Sequence, residues 1–197
     1  MTFRLGLTGS IGMGKSTTAG LFAEAGCAVW DADAAVHRLY AKGGAAVAPM
    51  AKAFPEAIED GAVSRARLKS LLAQRPEALK EIESIVHPLV ADDRADFLRQ
   101  TTAQIAVFDI PLLFEIGADR WLDAVVCVTV APEIQKKRVM ERGTMTEAEF
   151  SAILAKQLPD ADKRVKSDYV IETDTVEHAR EQVQDVIADI EKKVRNA

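Results

Sequence analysis

Five short apolar runs recur along the chain: Phe3 to Leu7, Cys27 to Trp30, Ile105 to Ile110, Ala124 to Val130 and Tyr169 to Ile171. They are rich in valine and isoleucine and nearly continuous, the pattern of strands covered on both faces rather than the alternation of a half-exposed sheet. Between them, apolar residues return at three- and four-residue steps. The clearest case is the last, where Val176, Ala179, Val183, Val186, Ile187, Ile190 and Val194 form one helical stripe. Strands alternating with helices predict an α/β fold, a parallel five-stranded sheet flanked by helices. Between the second and third runs, Lys42-Gly43-Gly44 and Glu59-Asp60-Gly61 read as turns bordering an inserted helical region of about residues 42–102.

In such a sheet ligands bind beyond the carboxyl ends of the strands. The first run leads into Gly9-Ser10-Ile11-Gly12-Met13-Gly14-Lys15-Ser16, which fits G-x-x-x-x-G-K-[ST], a phosphate-binding P-loop. Backbone N–H groups from Ile11 through Gly14 wrap one anion, and the helix starting near Lys15 adds its positive end and continues through Thr17. Lys15 is expected to reach the β- and γ-phosphates, and the Ser16 hydroxyl to hold the Mg²⁺ that bridges them. The second run leads into Asp31-Ala32-Asp33, the third contains Asp109 and leads to Glu115, and the last leads into Glu172-Thr173-Asp174. These polar ends are expected to converge on one edge.

Composition narrows the class. At 197 residues, 48% hydrophobic and 28% charged, the chain can bury one full core, and it has no apolar run long enough to span a membrane. A net charge of −5 argues against nucleic acid as a partner. The first strand-like run starts at once, with no basic-then-apolar leader, so a cytoplasmic location is expected. Cys27 and Cys127 lie in apolar runs at no metal or redox spacing and read as buried thiols.

Among P-loop proteins, a guanine switch needs Asn-Lys-x-Asp and Asp-x-x-Gly. The only asparagine is Asn196, and no Asp is followed by Gly three residues on. Motors and transporter ATPases need more chain. A small-molecule kinase fits, and it requires an acceptor site, a proton acceptor and cations that close over the triphosphate. The chain resembles the dephospho-coenzyme A kinase family from end to end. The resemblance rests on Thr8 to Ser16, Asp31-Ala32-Asp33, Arg65-Ala66-Arg67-Leu68, His87-Pro88-Leu89, Pro111-Leu112-Leu113-Phe114-Glu115 and the basic stretch Lys136 to Arg142. It departs from the family pattern at Met13, where a small residue is common, and at Ile171-Glu172-Thr173, where an asparagine is common.

The resemblance implies a P-loop NTPase-type core of about residues 1–41, 103–132 and 165–197, with a helical acceptor-binding insert and a helical lid of about residues 133–164. It implies transfer of the γ-phosphoryl of ATP, with Mg²⁺, to the ribose 3′-hydroxyl of dephospho-coenzyme A. No obligatory protein partner is expected. Within that reading Asp33 takes the acceptor hydroxyl's proton and Asp31 assists Mg²⁺ through water, the two pointing the same way if the segment is extended; a helix N-cap is the other reading of the pair. Arg138 and Arg142, four apart on a helix after Pro132, could meet one phosphate chain, with Arg142 as the catalytic lid residue; a solvated helix face is the alternative. His87 is a candidate acceptor contact or a helix-terminal histidine, and Arg65 and Arg67 are partners for the acceptor's phosphates or solvated arginines. Asp109 belongs to the Mg²⁺ shell or orders the next turn. Two wider alternatives are a kinase of another small hydroxyl or nucleotide acceptor, and a module that binds ATP without chemistry.

Overall fold

The computed structural model describes residues 2–196. In chain order the elements are β1 (Phe3–Thr8), α1 (Lys15–Glu24), β2 (Ala28–Asp31), α2 (Ala32–Tyr40), α3 (Val47–Ala53), β3 (Ile58–Glu59) and β4 (Ala62–Val63). There follow α4 (Arg65–Gln74), α5 (Ala78–Gln100), β5 (Ile105–Asp109), β6 (Ala124–Thr129), α6 (Pro132–Glu141), α7 (Glu147–Leu154), α8 (Asp160–Lys166), β7 (Tyr169–Glu172) and α9 (Val176–Arg195). Among the described residues they form two compact units, residues 2–30 with 101–196, and Asp31–Gln100.

The first unit carries the five-stranded sheet, in the order β2-β5-β1-β6-β7. All five expected strands are present, within a residue of their expected ends. Pairings β1 with β5, β1 with β6 and β6 with β7 are parallel. Side chains alternate across the pleat. On one face Leu5, Leu7, Val107, Val126 and Val128 join Phe22 of α1 and Ala179, Val183, Val186 and Ile190 of α9 in one core. On β5 the alternate position, Phe108, lies with its ring tilted against Trp30 at 5.9 Å and meets Trp121 edge-on at 5.0 Å. Burial on both faces explains why the strands read as unbroken apolar runs.

The stripe on α9 is buried in its middle, whereas Val176 and Val194 at its ends are exposed. A helix of 20 residues is about 30 Å long. Strands of four to six residues rise only about 13–20 Å, so the helix overhangs the sheet. Of the two thiols, Cys127 is buried and Cys27 half-buried. Burial pushes the Cys127 thiol up to about 12 and the Cys27 thiol up to about 11, with Asp160 and Glu191 respectively adding negative charge nearby.

The second unit packs α2, α3 and α4 against α5 around Leu39, Met50, Phe54, Leu68, Leu71, Ile82 and Val86. It departs from sequence expectation in three places. Asp60 and Gly61, with φ of 51° and 80°, form the expected turn, but as the close of a β3–β4 hairpin inside the unit rather than at the border of a helical region; two consecutive residues at positive φ make the hairpin turn that matches strand twist. Helix α5 runs through Pro88 instead of ending at His87, so His87 is an exposed mid-helix residue rather than a terminal one. Proline removes a single intrahelical bond, to the carbonyl of Ser84, while Ile82 and Val86 on the same helix are anchored in the core. Finally, Asp31 and Asp33 do not share an extended segment. Asp31 ends β2 and caps α2, its Oδ1 accepting from Ala34 N–H at 2.8 Å, so the chain turns helical before Asp33.

The depth of the main core sets a stability expectation. Phe22→Ala, at a fully buried position, should cost about 3–5 kcal/mol in urea unfolding. Leu79→Ala, largely exposed on α5, should cost no more than about 0.5 kcal/mol.

Candidate active site

Strand β1 ends at Thr8 and α1 begins at Lys15, and the six residues between form the phosphate-binding loop. Two of its glycines are required by geometry. Gly12 has φ 79°, and a Cβ there would lie 2.5 Å from Val139 Cγ2 on α6. Gly14, the residue before α1, has φ 87°, and its Cβ would lie 2.9 Å from Thr173 Oγ1. No side chain caps the N-terminus of α1, so the first-turn N–H groups that a helix leaves unsatisfied face the loop. That is the setting in which a helix start takes an anion.

Register brings the charges together. Leu7 of β1 pairs with Asp109 of β5, which places this carboxylate level with the start of the loop. Asp109 is 2% exposed and ion-paired with the Lys15 ammonium. A buried carboxylate needs such a partner, and here the partner is the side chain expected at the phosphates. Ser16 and Thr17, in the first turn of α1, are exposed.

The remaining residues of this unit close one wall. Arg138 on α6 donates from Nη1 to Thr173 Oγ1 at 3.1 Å, and from Nη2 to the Thr173 and Asp174 carbonyls at 2.5 and 3.3 Å. Arg142, the C-cap of α6, is exposed. Arg138 and Arg142 line a pocket of about 460 Å³ together with Gly14, Thr17, Thr173 and Asp174. Ile11 through Thr17 of the expected set therefore lie in this unit with Arg138, Arg142 and Asp109; Gly14, Thr17, Arg138 and Arg142 line the pocket, and Asp109 stands behind Lys15.

The other expected residues lie in the second unit. Asp33 is an exposed carboxylate in the first turn of α2. Arg65 begins α4 and acts on Tyr40, whose phenol burial pushes up and the Arg65 charge pulls partly back. Arg67 is engaged with the hairpin, donating to the Ile58 carbonyl at 2.7 Å and to Glu59 at 3.1 Å. His87 is exposed on α5.

Three residues that sequence reasoning missed, Gln135, Gln157 and Lys163, hold the loop or the segment beside it, together with Thr173, which was expected at the strand edge but without this contact. Gln135 Nε2 donates to the Ile11 carbonyl at 2.7 Å, and Gln157 Oε1 accepts from Ile11 N–H at 3.4 Å. Thr173 Oγ1 donates to the Met13 carbonyl at 2.8 Å. Lys163, with no exposed surface, stands 3.2 Å from Glu115 Oε1, an ion pair of charge proximity rather than aligned donor geometry. Burial alone raises the Glu115 carboxyl, but N–H groups of Leu158 and of Glu115 itself, then the Lys163 ammonium, outweigh it and hold the group below the usual glutamate range. A lysine at a core-facing helix position with a glutamate elsewhere was the only available sequence signal. Gln135 and Gln157 carried none.

Comparison with known proteins adds the family. The family model described as dephospho-CoA kinase matches residues 3–179. A protein of Ruegeria pomeroyi named dephospho-CoA kinase is 66% identical over 96% of both chains. A solved structure from Thermus thermophilus superposes with a TM-score of 0.83 at 32% identity, covering 95% of this chain and 97% of its own. The dephospho-CoA kinase of Campylobacter jejuni superposes with a TM-score of 0.72 at 26% identity, covering 98% and 99%.

The Glu115 pair predicts a pH dependence. Because the folded-state carboxyl is held below its unfolded value of 4.5, its contribution is fully present above that value and is lost as pH falls through the lowered one. Glu115→Gln should cost about 1–3 kcal/mol at pH 7 in urea unfolding, and the gap to wild type should narrow between pH 5 and pH 3. A gap independent of pH would show that the carboxylate is not held by this pair.

Proposed function

The chain belongs to the dephospho-CoA kinase family, and on that premise we propose how its residues divide the transfer of the γ-phosphoryl of ATP to the ribose 3′-hydroxyl of dephospho-coenzyme A. The products are coenzyme A and ADP. The observation that carries the donor half is the Gly9–Ser16 loop, with uncapped helix N–H groups ahead of it and Lys15 held at its mouth by a buried carboxylate. When a triphosphate arrives, its γ-phosphate competes with Asp109 for the Lys15 ammonium. N–H groups from Ile11 to Gly14 take the phosphate oxygens, Ile11 giving up Gln157 Oε1 at 3.4 Å and Met13 the Ser10 carbonyl at 3.1 Å, which fixes the chain of phosphorus atoms before reaction.

The acceptor half begins at Asp33. Its exposed carboxylate, one residue inside α2, takes the proton of the 3′-hydroxyl as that oxygen bonds to the γ-phosphorus and the bond from γ-phosphorus to the β–γ bridging oxygen breaks. ADP leaves with the bridging oxygen. Arg142, exposed beside Gly14 and Thr17 on the pocket wall, stabilises the transferring charge, and Arg138 holds the nucleotide side of that wall. Arg65, Arg67 and His87 are assigned to the acceptor. Arg67 serves it only by giving up its present bonds to the hairpin.

The donor set fits Mg²⁺. Ser16 supplies a hydroxyl, and Asp31 and Asp109 supply carboxylates, all hard oxygen donors of the kind this ion takes. Among the described residues no group of three or more His, Cys, Asp or Glu side chains is placed to hold a metal ion. Asp31 can meet a hydrated ion through one oxygen while the other caps α2. The ion supplies neutralisation of charge on the phosphates. Among the described residues no helix is long and apolar enough to cross a membrane.

Two measurements test this reading. ATP consumption by the purified protein should be at least a hundredfold faster with dephospho-coenzyme A than with adenosine or a nucleoside monophosphate, the margin that a site built around polar recognition achieves. Equal rates would assign another acceptor. Asp33→Asn should lower kcat by about 10²–10⁴-fold while leaving the KM for ATP within about threefold; an unchanged kcat would remove Asp33 as the proton acceptor.

A further inference from the structure

We propose that Thr173 is a positioning residue of the donor site, whose single hydroxyl sets the direction of a P-loop N–H and the orientation of Arg138 together. The inference rests on the reading above that ATP occupies this loop. Thr173 lies just past β7, 6% exposed, and its backbone N–H is fixed to the Thr129 carbonyl at 2.9 Å. The hydroxyl has one proton. Its nearest acceptor is the Met13 carbonyl at 2.8 Å, with the Thr129 carbonyl farther off at 3.3 Å.

Two consequences follow from that one proton. The first concerns the loop. A trans peptide is planar, with its C=O and N–H on opposite sides, so tying the Met13 carbonyl to Thr173 turns the Gly14 N–H the other way, off Thr173. Gly14 permits this because it has no Cβ to meet the hydroxyl at 2.9 Å and because its φ of 87° suits glycine. The second concerns the arginine. With its proton directed at Met13, the Thr173 oxygen has only lone pairs to offer, and it accepts Arg138 Nη1 at 3.1 Å. Arg138 Nη2 is tied to the Thr173 carbonyl at 2.5 Å. The same residue therefore grips the guanidinium through its side chain and its backbone, and Arg138 cannot turn without releasing the loop carbonyl's partner.

Valine has the shape of threonine without the hydroxyl, which separates positioning from packing. Thr173→Val should raise the Kd for ATP in equilibrium titration, and the KM for ATP, about five- to tenfold, the net worth of a single hydrogen bond, because the two bonds lost position the loop and Arg138 and do not themselves touch ATP. The KM for dephospho-coenzyme A should stay within twofold. Thr173→Ser, which keeps the hydroxyl and loses the methyl, should return ATP affinity to within twofold of wild type. Thr173→Ala should resemble valine, and serves if the valine protein does not fold. In an Arg138→Ala background the effect of Thr173→Val should shrink by at least half. Wild-type ATP affinity in the valine or alanine protein, a serine protein as weak as valine, or full additivity with Arg138→Ala would each overturn the proposal. Failure of the donor reading looks different: wild-type protein would bind no ATP, or Lys15→Ala would bind it as well as wild type.

Discussion

A loop that offers its backbone N–H groups to an anion can spend few of them on itself, here Met13 N–H on the Ser10 carbonyl at 3.1 Å, and every polar group it leaves unpaired inside the protein carries a cost. The segment from Gly9 to Gly14 has to be held in shape from outside. Its carbonyls are the available handles, and the fold supplies partners for them: Gln135 on α6 for Ile11 and Thr173 after β7 for Met13. Lys15, the loop's charged end, is held by Asp109 on β5. Strands β5 and β6 flank β1, with β7 one strand beyond β6, so the elements that must reach the loop are close at hand. The parallel sheet with β1 at its centre is thus the arrangement that surrounds the loop with anchoring side chains.

The charged pairs have the same character. Lys15 with Asp109 and Lys163 with Glu115 each remove at least one ionised group from water, and such pairs contribute less net stability than their attraction suggests. Their effect is on position. Lys163 and Leu158 N–H both converge on Glu115, which ties the segment entering α8 to the loop after β5. The neighbouring Gln157 reaches Ile11 N–H. Surface pairs such as Arg180 with Glu24 are exposed on both sides and add little by comparison.

Legibility followed physical scale. The five strands were readable because burial on both faces leaves a local, unbroken signal in Val107, Val126 and their neighbours, and the P-loop because its glycines and Lys15 are consecutive. Helix α5 was cut short in the reading because Pro88 forbids one bond locally, whereas the core contacts of Ile82 and Val86 that carry the helix past it are nonlocal. The same limit applies to the loop's supports. Gln135 reaches 124 residues back to Ile11, and Thr173 reaches 160 back to Met13. A glutamine or threonine in a helix or turn has no periodicity to betray such a contact. Asp31 showed the opposite difficulty: both readings of it were visible, and only the backbone turn at Ala32 showed it as a helix cap.

The two cysteines gain significance from the chemistry around them. Dephospho-coenzyme A and coenzyme A both end in a thiol, so the protein works in contact with a reagent for thiol–disulfide exchange. Exchange proceeds through the thiolate. With Cys127 pushed up to about 12 and Cys27 up to about 11, both groups stay protonated at neutral pH, and neither is a nucleophile toward an oxidised form of substrate or product. Burial that serves the core therefore also disfavours exchange of either thiol with the disulfide form of the product.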